Sequence, residues 1–499
     1  MKILSFFITA FALALVLAST GCKKDWLNPP LENTIIQTDT TFSDPNNAVK
    51  FVNACYNSGI QWGEHVFSWI GMSSITSDDA DKGSDPGDTG TDKHIMDNLG
   101  YTPSTLSIIE VWDANYEAIG RCNQAIENVP KFVEVGLDQA LADRLVGEAK
   151  FLRSYYYFNL VRAYGNIPKI FRVYSGDEAA QIYEDYSGAP ATEIYPLIED
   201  DLKDAIAKLP LKSQYEAKDL GRATKGSAQA LLAKVYMYEK KWNECLDVCN
   251  QLIGSGEYAL AIDFAEMFHQ SGEHNIESIF EFEGYNGKDI DAGIGGYFVV
   301  QGARGLVTNG FDGWGFNSPS ESLENAFEPG DIRKAATIYY AGQTLWDGAV
   351  VSDMASNPRY NYKAYVSKTL ESNKDSWNSG KNLRIFRYAE ILLIKAEASN
   401  ELGNQGDAIA ALNLVRNRAG LPNTTATTQG DLRNAIWKER RVELAMEHDR
   451  WFDLVRTGRA GEVMRANGKN FIDGKHELFP IPQKHIELSG GRLKQNPGY

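Results

Sequence analysis

The sequence predicts a mainly α-helical protein, in which tetratricopeptide-like helix pairs stack into an α-α superhelix that carries an irregular, loop-rich region with short strands. Three observations lead to this prediction. Several long segments repeat apolar residues with the 3.6-residue period of an amphipathic helix. Two of these segments can be superposed as helical hairpins. A segment between them is rich in glycine and aromatic residues and lacks the helical period.

The two longest periodic segments before the hairpins are predicted to be helices. The first spans residues 139–165 and ends at Gly165, with Pro168 shortly beyond, which is a typical end signal for a helix. The second spans residues 193–210 and carries apolar residues at helical spacing. Each is expected to bury one apolar face against a neighbouring helix.

Two helical hairpins are predicted, one in residues 230–253 and one in residues 391–416. Their equivalent positions lie at a constant offset, and the matched pairs are Ala233 and Ala396, Cys245 and Ala408, Cys249 and Leu412, and Leu252 and Val415. Small residues at a fixed separation let antiparallel helices approach closely, as in tetratricopeptide-like repeats of about 34 residues. Cys245 and Cys249 lie among apolar neighbours with no nearby histidine, so buried free thiols are expected and no metal site.

Residues 266–380 are predicted to form irregular structure with short strands, inserted into the helical scaffold. Residues 281–320 within it contain ten glycines and seven aromatic residues, and residues 297–300 are expected to form a short strand. The predicted regions of the chain are a signal peptide at 1–21, a region with helix pairs at 22–265, the insertion at 266–380, and a region with the last helix pair and an extended tail at 381–499.

The N-terminus has the pattern of a bacterial lipoprotein signal. Lys2 precedes an apolar run over residues 3–18, and small residues lead to Cys22. The run is short for a bilayer span, which needs about 20 apolar residues. Cys22 is therefore predicted to be acylated, and several acyl chains on one cysteine give a stable anchor. An ordinary secretory signal with an incidental cysteine is the alternative.

The acidic balance of the chain excludes some partners. The formal net charge is −16 for 499 residues, and removal of residues 1–21 takes away only Lys2, which gives −17. Nucleic acid is not an expected partner, because neutralisation of phosphates supplies most of the affinity in such complexes. Electrostatic docking onto anionic lipid is disfavoured for the same reason.

Residues 439–456, ERRVELAMEHDRWFDLVR, combine four arginines with five acidic residues. On a helix, residues three or four positions apart are neighbours and form ion pairs. The near balance of charge predicts a structural ion-pair network within this segment, whereas a surface for polyanions would need a basic excess. Trp451 and Leu454 are expected to form its buried face.

Seven segments, taken in order, resemble the RagB/SusD family of outer-membrane nutrient-binding lipoproteins. They are the motif ending at Cys22, EAKFLRSYYYFNLVRAYGNIP (148–168), RATKGSAQALLAKVYMY (222–238), RYAEILLIKAEASNELG (387–403), LNLVRNRAGLP (412–422), ERRVELAMEHDRWFDLVR (439–456) and LFPIPQ…NPGY (478–499). The resemblance covers nearly the whole mature chain. It departs at His448, where many relatives have a small residue, and in the variable loops.

The resemblance implies a helical scaffold of four tetratricopeptide-like helix pairs, with a loop-rich face opposite. It implies a lipid-anchored protein on the cell surface, at the outer membrane, that captures glycans or other nutrients. The implied partner is a SusC-like TonB-dependent transporter, to which the nutrient is delivered. It implies no enzymatic activity.

Ligand binding without cleavage needs exposed rings that stack on the apolar face of a sugar, with polar groups at the rim. The candidates in the irregular regions are Trp62, Trp69, Tyr101, Tyr297, Phe311, Trp314 and Trp346 for stacking, and Asn98, Asn309 and Asp312 for polar contacts. Trp314 lies in GFDGWGFNSPS, which resembles a segment common in the family, so a core position is the alternative for this residue.

Two other function classes stay open from the sequence. An (α/α)-barrel glycoside hydrolase would need two carboxyl groups about 5–9.5 Å apart, but no acidic pair is singled out by its spacing, so no catalytic residue is predicted. Helical repeats also act as protein-interaction scaffolds. No cofactor is expected. Calcium at the acidic stretch 77–93 is the alternative, although the EF-hand ligand register fails at Gly83.

Overall fold

The computed structural model describes residues 41–499 except 86, 88–90, 176–177, 287–293, 306, 372–374 and 376. The predicted signal peptide and Cys22 lie outside the described residues, so both stay predictions. Among the residues that are described, we find no helix with the length and apolar character needed to cross a membrane.

Helices dominate the structure, which confirms the predicted mainly α class. In chain order they are α1 Asn47–Ser58, α2 Ser68–Ile70, α3 Asp92–Asp97, α4 Leu106–Asn128, α5 Gln139–Tyr164, α6 Ala179–Asp185, α7 Ala191–Lys208, α8 Lys225–Glu239, α9 Trp242–Gly254, α10 Ile294–Gln301, α11 Glu321–Glu324, α12 Tyr388–Glu401, α13 Gln405–Arg418, α14 Gln429–Glu443, α15 Arg450–Arg456, α16 Ala460–Ala466 and α17 Gln483–Leu488. Two π-helical turns flank α2, at Trp62–Val66 and Gly71–Ile75.

The strands are short and form antiparallel pairs. They are β1 Ala80–Gly83, β2 Ser278–Phe282, β3 Val307–Thr308, β4 Phe316–Pro319, β5 Ile338–Tyr340, β6 Val350–Val351, β7 Arg359–Asn361 and β8 Leu383–Arg387. β1 pairs with β4, β2 with β8, β3 with β6, and β5 with β7. The β1–β4 and β2–β8 pairs attach the irregular region, residues 266–380, to the rest of the chain at two points. In each pair one strand lies inside this region and the other lies outside it.

The helices form a continuous stack. α4 packs against α5, α5 against α7, α7 against α8, and α8 against α9. The stack continues from α9 to α12, and from α12 to α13 and α14. The predicted helices at 139–165 and 193–210 correspond to α5 and α7, so both predictions are confirmed.

Helix α5 lies at the centre of this stack. The carboxylate of Asp138 accepts a hydrogen bond from the Leu141 backbone N–H at 2.9 Å and caps its N-terminus. Gly165 ends the helix with φ of +75°, a left-handed conformation that favours glycine. Residues 151–158 are buried on every side of the helix, as expected for a helix enclosed by neighbours.

The two predicted hairpins are confirmed as α8–α9 and α12–α13. All eight matched residues are at most 1% exposed. The Cys245 thiol donates to the Ala233 carbonyl oxygen at 3.3 Å, which shows how closely the paired helices approach. Cys245 and Cys249 are free and buried, as predicted.

The predicted strand at residues 297–300 is wrong, because these residues lie in α10. A short apolar run does not distinguish a buried strand from a buried helix. Every residue of α10 is buried, so the helix has no polar face that would reveal its period. Gly295 is needed at its start, because a Cβ there would overlap the Trp377 carbonyl oxygen.

Residues 439–456 form the predicted structural ion-pair network, but most partners are distant in the chain. The segment is two helices, since α14 ends before Met446 and His448, which take left-handed conformations with φ of +64° and +71°. Arg440 binds Glu390 outside the segment at 2.8 Å, and Asp449 and Asp453 inside it at 3.1 and 2.7 Å. Glu443 binds Arg333, Arg387 and Arg418, which all lie outside the segment. The prediction of mainly local pairs is therefore wrong.

The first residues of the acidic stretch 77–93 are buried and ion-paired. Asp78 and Asp79 are at most 2% exposed. Arg450 Nε lies 2.7 Å from Asp78 Oδ1, and Arg441 Nε lies 2.7 Å from Asp79 Oδ1. These aspartates therefore join the buried network, because desolvated carboxylates need charged partners.

Candidate ligand-binding site

Three half-exposed tryptophans meet on the loop-rich face. Trp62, Trp314 and Trp377 are 37, 37 and 38% exposed. The ring centroids of Trp62 and Trp314 lie 6.2 Å apart with an interplanar angle of 64°, and those of Trp314 and Trp377 lie 5.4 Å apart at 73°. These three residues are termed the tryptophan cluster.

Trp62 opens the first π-helical turn. Gly63 lets this turn lie directly on α4, because a Cβ there would come within 2.6 Å of the Glu110 carbonyl oxygen. The Phe67 ring supports the cluster from below, with centroids 5.4 Å from Trp62 and 6.0 Å from Trp314. π-helical turns are frequent at functional sites, since they redirect side chains locally.

Trp314 lies in a tight loop that follows α10. Its backbone N–H donates to the Val299 carbonyl oxygen at 2.8 Å. Gly315 has φ of +73°, and its N–H donates to the Gly302 carbonyl oxygen at 2.9 Å. These bonds hold the loop on the end of α10 and fix the position of the Trp314 ring.

Trp377 completes the cluster from a third segment. Its backbone N–H donates to Asp375 Oδ1 at 2.9 Å. Gly296 lies between the Trp62 and Trp377 rings, and a Cβ there would lie 3.5 Å from each of them. The bare backbone of α10 therefore forms the floor of the site.

Polar groups border the Trp314 loop. Arg304 Nη1 donates to Ser84 Oγ at 2.6 Å, and Arg304 Nη2 lies 3.8 Å from Asp85 Oδ2. The Arg304 and Asp85 side chains are 37 and 49% exposed. A ligand-binding site commonly combines apolar rings, which contact the ligand, with a few polar groups that fix the orientation of the ligand.

Three sequence-predicted ring residues are corrected by the structure. Trp69, Tyr101 and Tyr297 are at most 4% exposed, so they cannot offer a face to a ligand on the surface. The Trp69 ring stacks on Phe452 at 5.3 Å, and the Tyr297 hydroxyl lies 2.9 Å from His448 Nε2. Large rings in segments without helical period can still belong to the core, since they bury much apolar area.

Two other predicted rings lie on the irregular region without touching the cluster in the described contacts. Trp346 is 38% exposed and stacks on His269 with centroids 4.0 Å apart. Phe311 is half-buried at a small apolar cavity that Phe298 and Tyr339 also line. Both stay predictions as ligand contacts.

The three predicted polar contacts are exposed. The Asn98 amide donates to the His94 carbonyl oxygen at 2.8 Å, and Asp312 Oδ1 accepts from the Val307 backbone N–H at 3.0 Å. Asn309 takes a left-handed conformation with φ of +63°. Of the ten predicted residues, only Trp62 and Trp314 are brought together in one cluster.

The sequence prediction missed Trp377. The signal was present, because Trp377 lies in the polar, glycine-containing sequence SWNSGK within the predicted insertion. The same reasoning that selected Trp314 would have selected it.

Glu64 belongs to the same π-helical turn as Trp62 but is fully buried. Within the described part of the chain, neither of its carboxylate oxygens has a hydrogen-bond partner. Burial alone raises the pKa of Glu64 well above its ordinary value. The folded protein therefore keeps a proton there that the unfolded chain releases above about pH 4.5.

Glu64→Gln is expected to stabilise the protein increasingly as pH rises. Because the folded pKa is raised, the contribution of Glu64 is most favourable below its unfolded pKa and is lost as pH increases towards the folded pKa. The stability gain of the variant should grow by up to about 1.4 kcal/mol per pH unit in that window. Urea unfolding at about pH 5 and about pH 8 measures it.

The exposed Glu134→Gln is the matched control and should show no such pH dependence. An equal stability difference between wild type and Glu64→Gln at both pH values would contradict a protonated, buried Glu64.

Comparison with known proteins gives the same family in both halves of the chain. A sequence model described as the SusD family matches residues 277–499. A second, described as starch-binding associating with outer membrane, matches residues 73–237. SusD-like protein P2 of Formosa agariphila is 29% identical over 519 aligned positions, which cover 98% of each protein.

Solved structures share the fold. A laminarin binding SusD-like protein is 29% identical and has a TM-score of 0.76, over 91% of this chain and 99% of that one. Surface glycan-binding protein A from Bacteroides fluxus is 28% identical with a TM-score of 0.75, over the same shares. Both are named for binding and not for catalysis. The two family models together match more than half of the chain, and solved members share its architecture, so the chain belongs to the SusD/RagB family.

Proposed function

We propose that this protein is a cell-surface, glycan-binding lipoprotein that captures an oligosaccharide on the tryptophan cluster and delivers it to a SusC-like TonB-dependent transporter. The cluster is the observation that carries the proposal. Indole faces stack on the apolar C–H faces of sugar rings. Contiguous exposed apolar patches mark binding sites, and three half-exposed rings in contact form such a patch.

The shape and charge of the site support a particular class of glycan. The interplanar angles of 64° and 73° make the ring surface bent, which suits a curved chain better than a flat one. The net charge of −16 disfavours polyanionic glycans, since like charges repel. A neutral glycan is therefore the proposed ligand. Laminarin is the first probe, since a structure with 29% identity is named for binding it.

Affinity electrophoresis of the purified protein in gels with laminarin, starch, xylan or alginate tests the ligand class. Migration is expected to slow in at least one neutral glycan and to stay unchanged in alginate. If migration in every neutral glycan equals that in a gel without glycan, the proposal of a neutral-glycan ligand is contradicted. Reducing ends should not accumulate, because the protein binds without cleavage.

Lipid anchoring and delivery rest on Cys22 and on the family. The description of the matched N-terminal model, which names the outer membrane, supports this location. Cys22→Ala is expected to move the protein from the outer-membrane fraction to the soluble fraction, because acylation supplies the membrane affinity. Fractionation of cells expressing each form measures this. Wild type should also co-purify with a TonB-dependent transporter from detergent-solubilised outer membranes.

The matched control for this experiment is Cys55→Ala, which changes a buried free thiol and should leave the fractionation unchanged. Retention of the Cys22→Ala protein in the membrane fraction would contradict the lipid anchor. Absence of any co-purifying transporter would contradict delivery while leaving glycan binding intact.

A further inference from the structure

A cluster of mixed nitrogen and oxygen donors lies at one end of the β2–β8 pair. His274 Nε2, one oxygen of Glu281 and one oxygen of Glu283 lie within 4.8 Å of one another. Glu281 and Glu283 are two positions apart, so an extended chain places both on one side. His274 joins them from the preceding turn, where it takes a left-handed conformation with φ of +52°.

These three donor atoms surround one point. The Asn382 Nδ2 amide lies near that point, 2.9 Å from Glu281 Oε2, 3.1 Å from Glu283 Oε1 and 3.3 Å from His274 Nε2. Asn382 Oδ1 accepts from the Gly284 backbone N–H at 2.8 Å. His274 Nε2 also lies 3.3 Å from Glu283 Oε1, so these groups share one proton as well as the amide. A cation at the same point satisfies all three when the Asn382 side chain rotates away.

The charges around the cluster favour an added cation. Glu273 is a third carboxylate close by, with Oε1 3.9 Å from Arg384 Nη1. Arg384 is the nearest guanidinium, with Nε 3.6 Å from Glu281 Oε1. Lys212 donates its hydrogen bonds to the carbonyl oxygens of two neighbouring residues. His274 binds a metal only as the neutral imidazole, and in that form three carboxylates face two cationic side chains.

The cluster is reachable from solvent. Glu283 is 49% exposed at its side chain. Glu281 and Glu283 line a cleft of about 300 Å³, together with Asn53, Tyr56, Leu220 and Arg222. A smaller cavity behind it is lined by His274, Glu281 and Ser278. Ser278 is 2% exposed, and its hydroxyl offers a further oxygen beside Glu281 there.

We propose that His274, Glu281 and Glu283 bind a divalent transition-metal ion, with one coordination position open to the cleft. One imidazole with two carboxylates suits Zn²⁺ and its first-row neighbours, whereas Ca²⁺ and Mg²⁺ prefer all-oxygen sets. Three protein ligands leave room for a water or a ligand oxygen on a four-coordinate ion. The site is separate from the tryptophan cluster, because the two share no residue.

Isothermal titration of chelator-treated, dialysed protein with ZnCl₂ tests the proposal, with MgCl₂ and CaCl₂ as reference ions. One Zn²⁺ per chain is expected, and binding of Mg²⁺ and Ca²⁺ should be at least tenfold weaker. Glu283→Gln and His274→Ala should each weaken Zn²⁺ binding at least tenfold. Zn²⁺ should also raise the melting temperature of wild type, but not that of the double variant that combines Glu283→Gln with His274→Ala.

His94→Ala is the matched control, since it removes another partly exposed histidine outside the cluster, and Zn²⁺ binding should be unchanged. Glu283→Gln changes an exposed side chain, so its melting temperature without metal should equal that of wild type. Absence of Zn²⁺ binding by wild type, or full binding by the double variant, would overturn the proposal. Laminarin retardation should be the same in all these variants, which keeps this test independent of the proposed function.

Discussion

Trp314→Ala is expected to weaken glycan binding by at least about tenfold, which corresponds to ~1.4 kcal/mol. Trp314 is the central ring of the tryptophan cluster, with Trp62 and Trp377 on either side of it. Its removal takes away one stacking face and also the contact that holds the other two rings in their relative orientation. Titration calorimetry with laminarin oligosaccharides, or retardation in laminarin gels, measures the loss.

Trp346→Ala is the matched control. Trp346 has nearly the same exposure as Trp314, 38 against 37%, but stacks on His269. Its replacement should change the affinity less than about twofold, which is ~0.4 kcal/mol. An unchanged affinity in Trp314→Ala would show that the cluster is not the glycan platform. A large loss in Trp346→Ala would mean that the platform extends to Trp346.

Glu443→Gln is expected to lower the free energy of unfolding by about 3–5 kcal/mol, the range for breaking a buried ion pair on one side. Glu443 is fully buried and lies among three guanidinium groups. Its carboxylate accepts from Arg333 Nη1 at 3.0 Å, from Arg387 Nη1 at 2.9 Å and from Arg418 Nη2 at 2.5 Å. The neutral amide leaves these buried cations short of one negative charge.

The pH dependence gives this prediction a second readout. The three arginines hold the pKa of Glu443 well below its usual range, although burial opposes them. The stabilisation is therefore present above the unfolded pKa and is lost as pH falls. Urea unfolding of both forms at about pH 7 and about pH 4 should show a smaller difference at the lower pH.

The exposed Glu462→Gln, on α16, is the control and is expected to change stability by less than about 0.5 kcal/mol. A similarly small change in Glu443→Gln would contradict a structural role for the network.

The helical scaffold was predictable from the sequence, because its signals are local. Apolar period, glycine and proline ends, and the matched small residues of the two hairpins all act within one or two helices. The hidden helix α10 was not predictable in this way, since a helix buried on all sides lacks a polar face. The ion-pair partners of Arg440 and Glu443 were not predictable either, because most lie in distant segments of the chain.

The candidate site was predictable only in part. Trp62 and Trp314 were selected because they lie in irregular, polar segments, and the structure brings them together. The same criterion selected Trp69 and Tyr101, which are buried. Whether a ring on a non-periodic segment faces solvent or the core depends on tertiary packing, which a single sequence does not show.

The three indoles come from positions separated by 252 residues (62 to 314) and 63 residues (314 to 377). A fragment must span at least residues 62–377 to contain all of them. The ring surface therefore forms only where these distant segments pack together, and its integrity depends on long-range contacts of the fold.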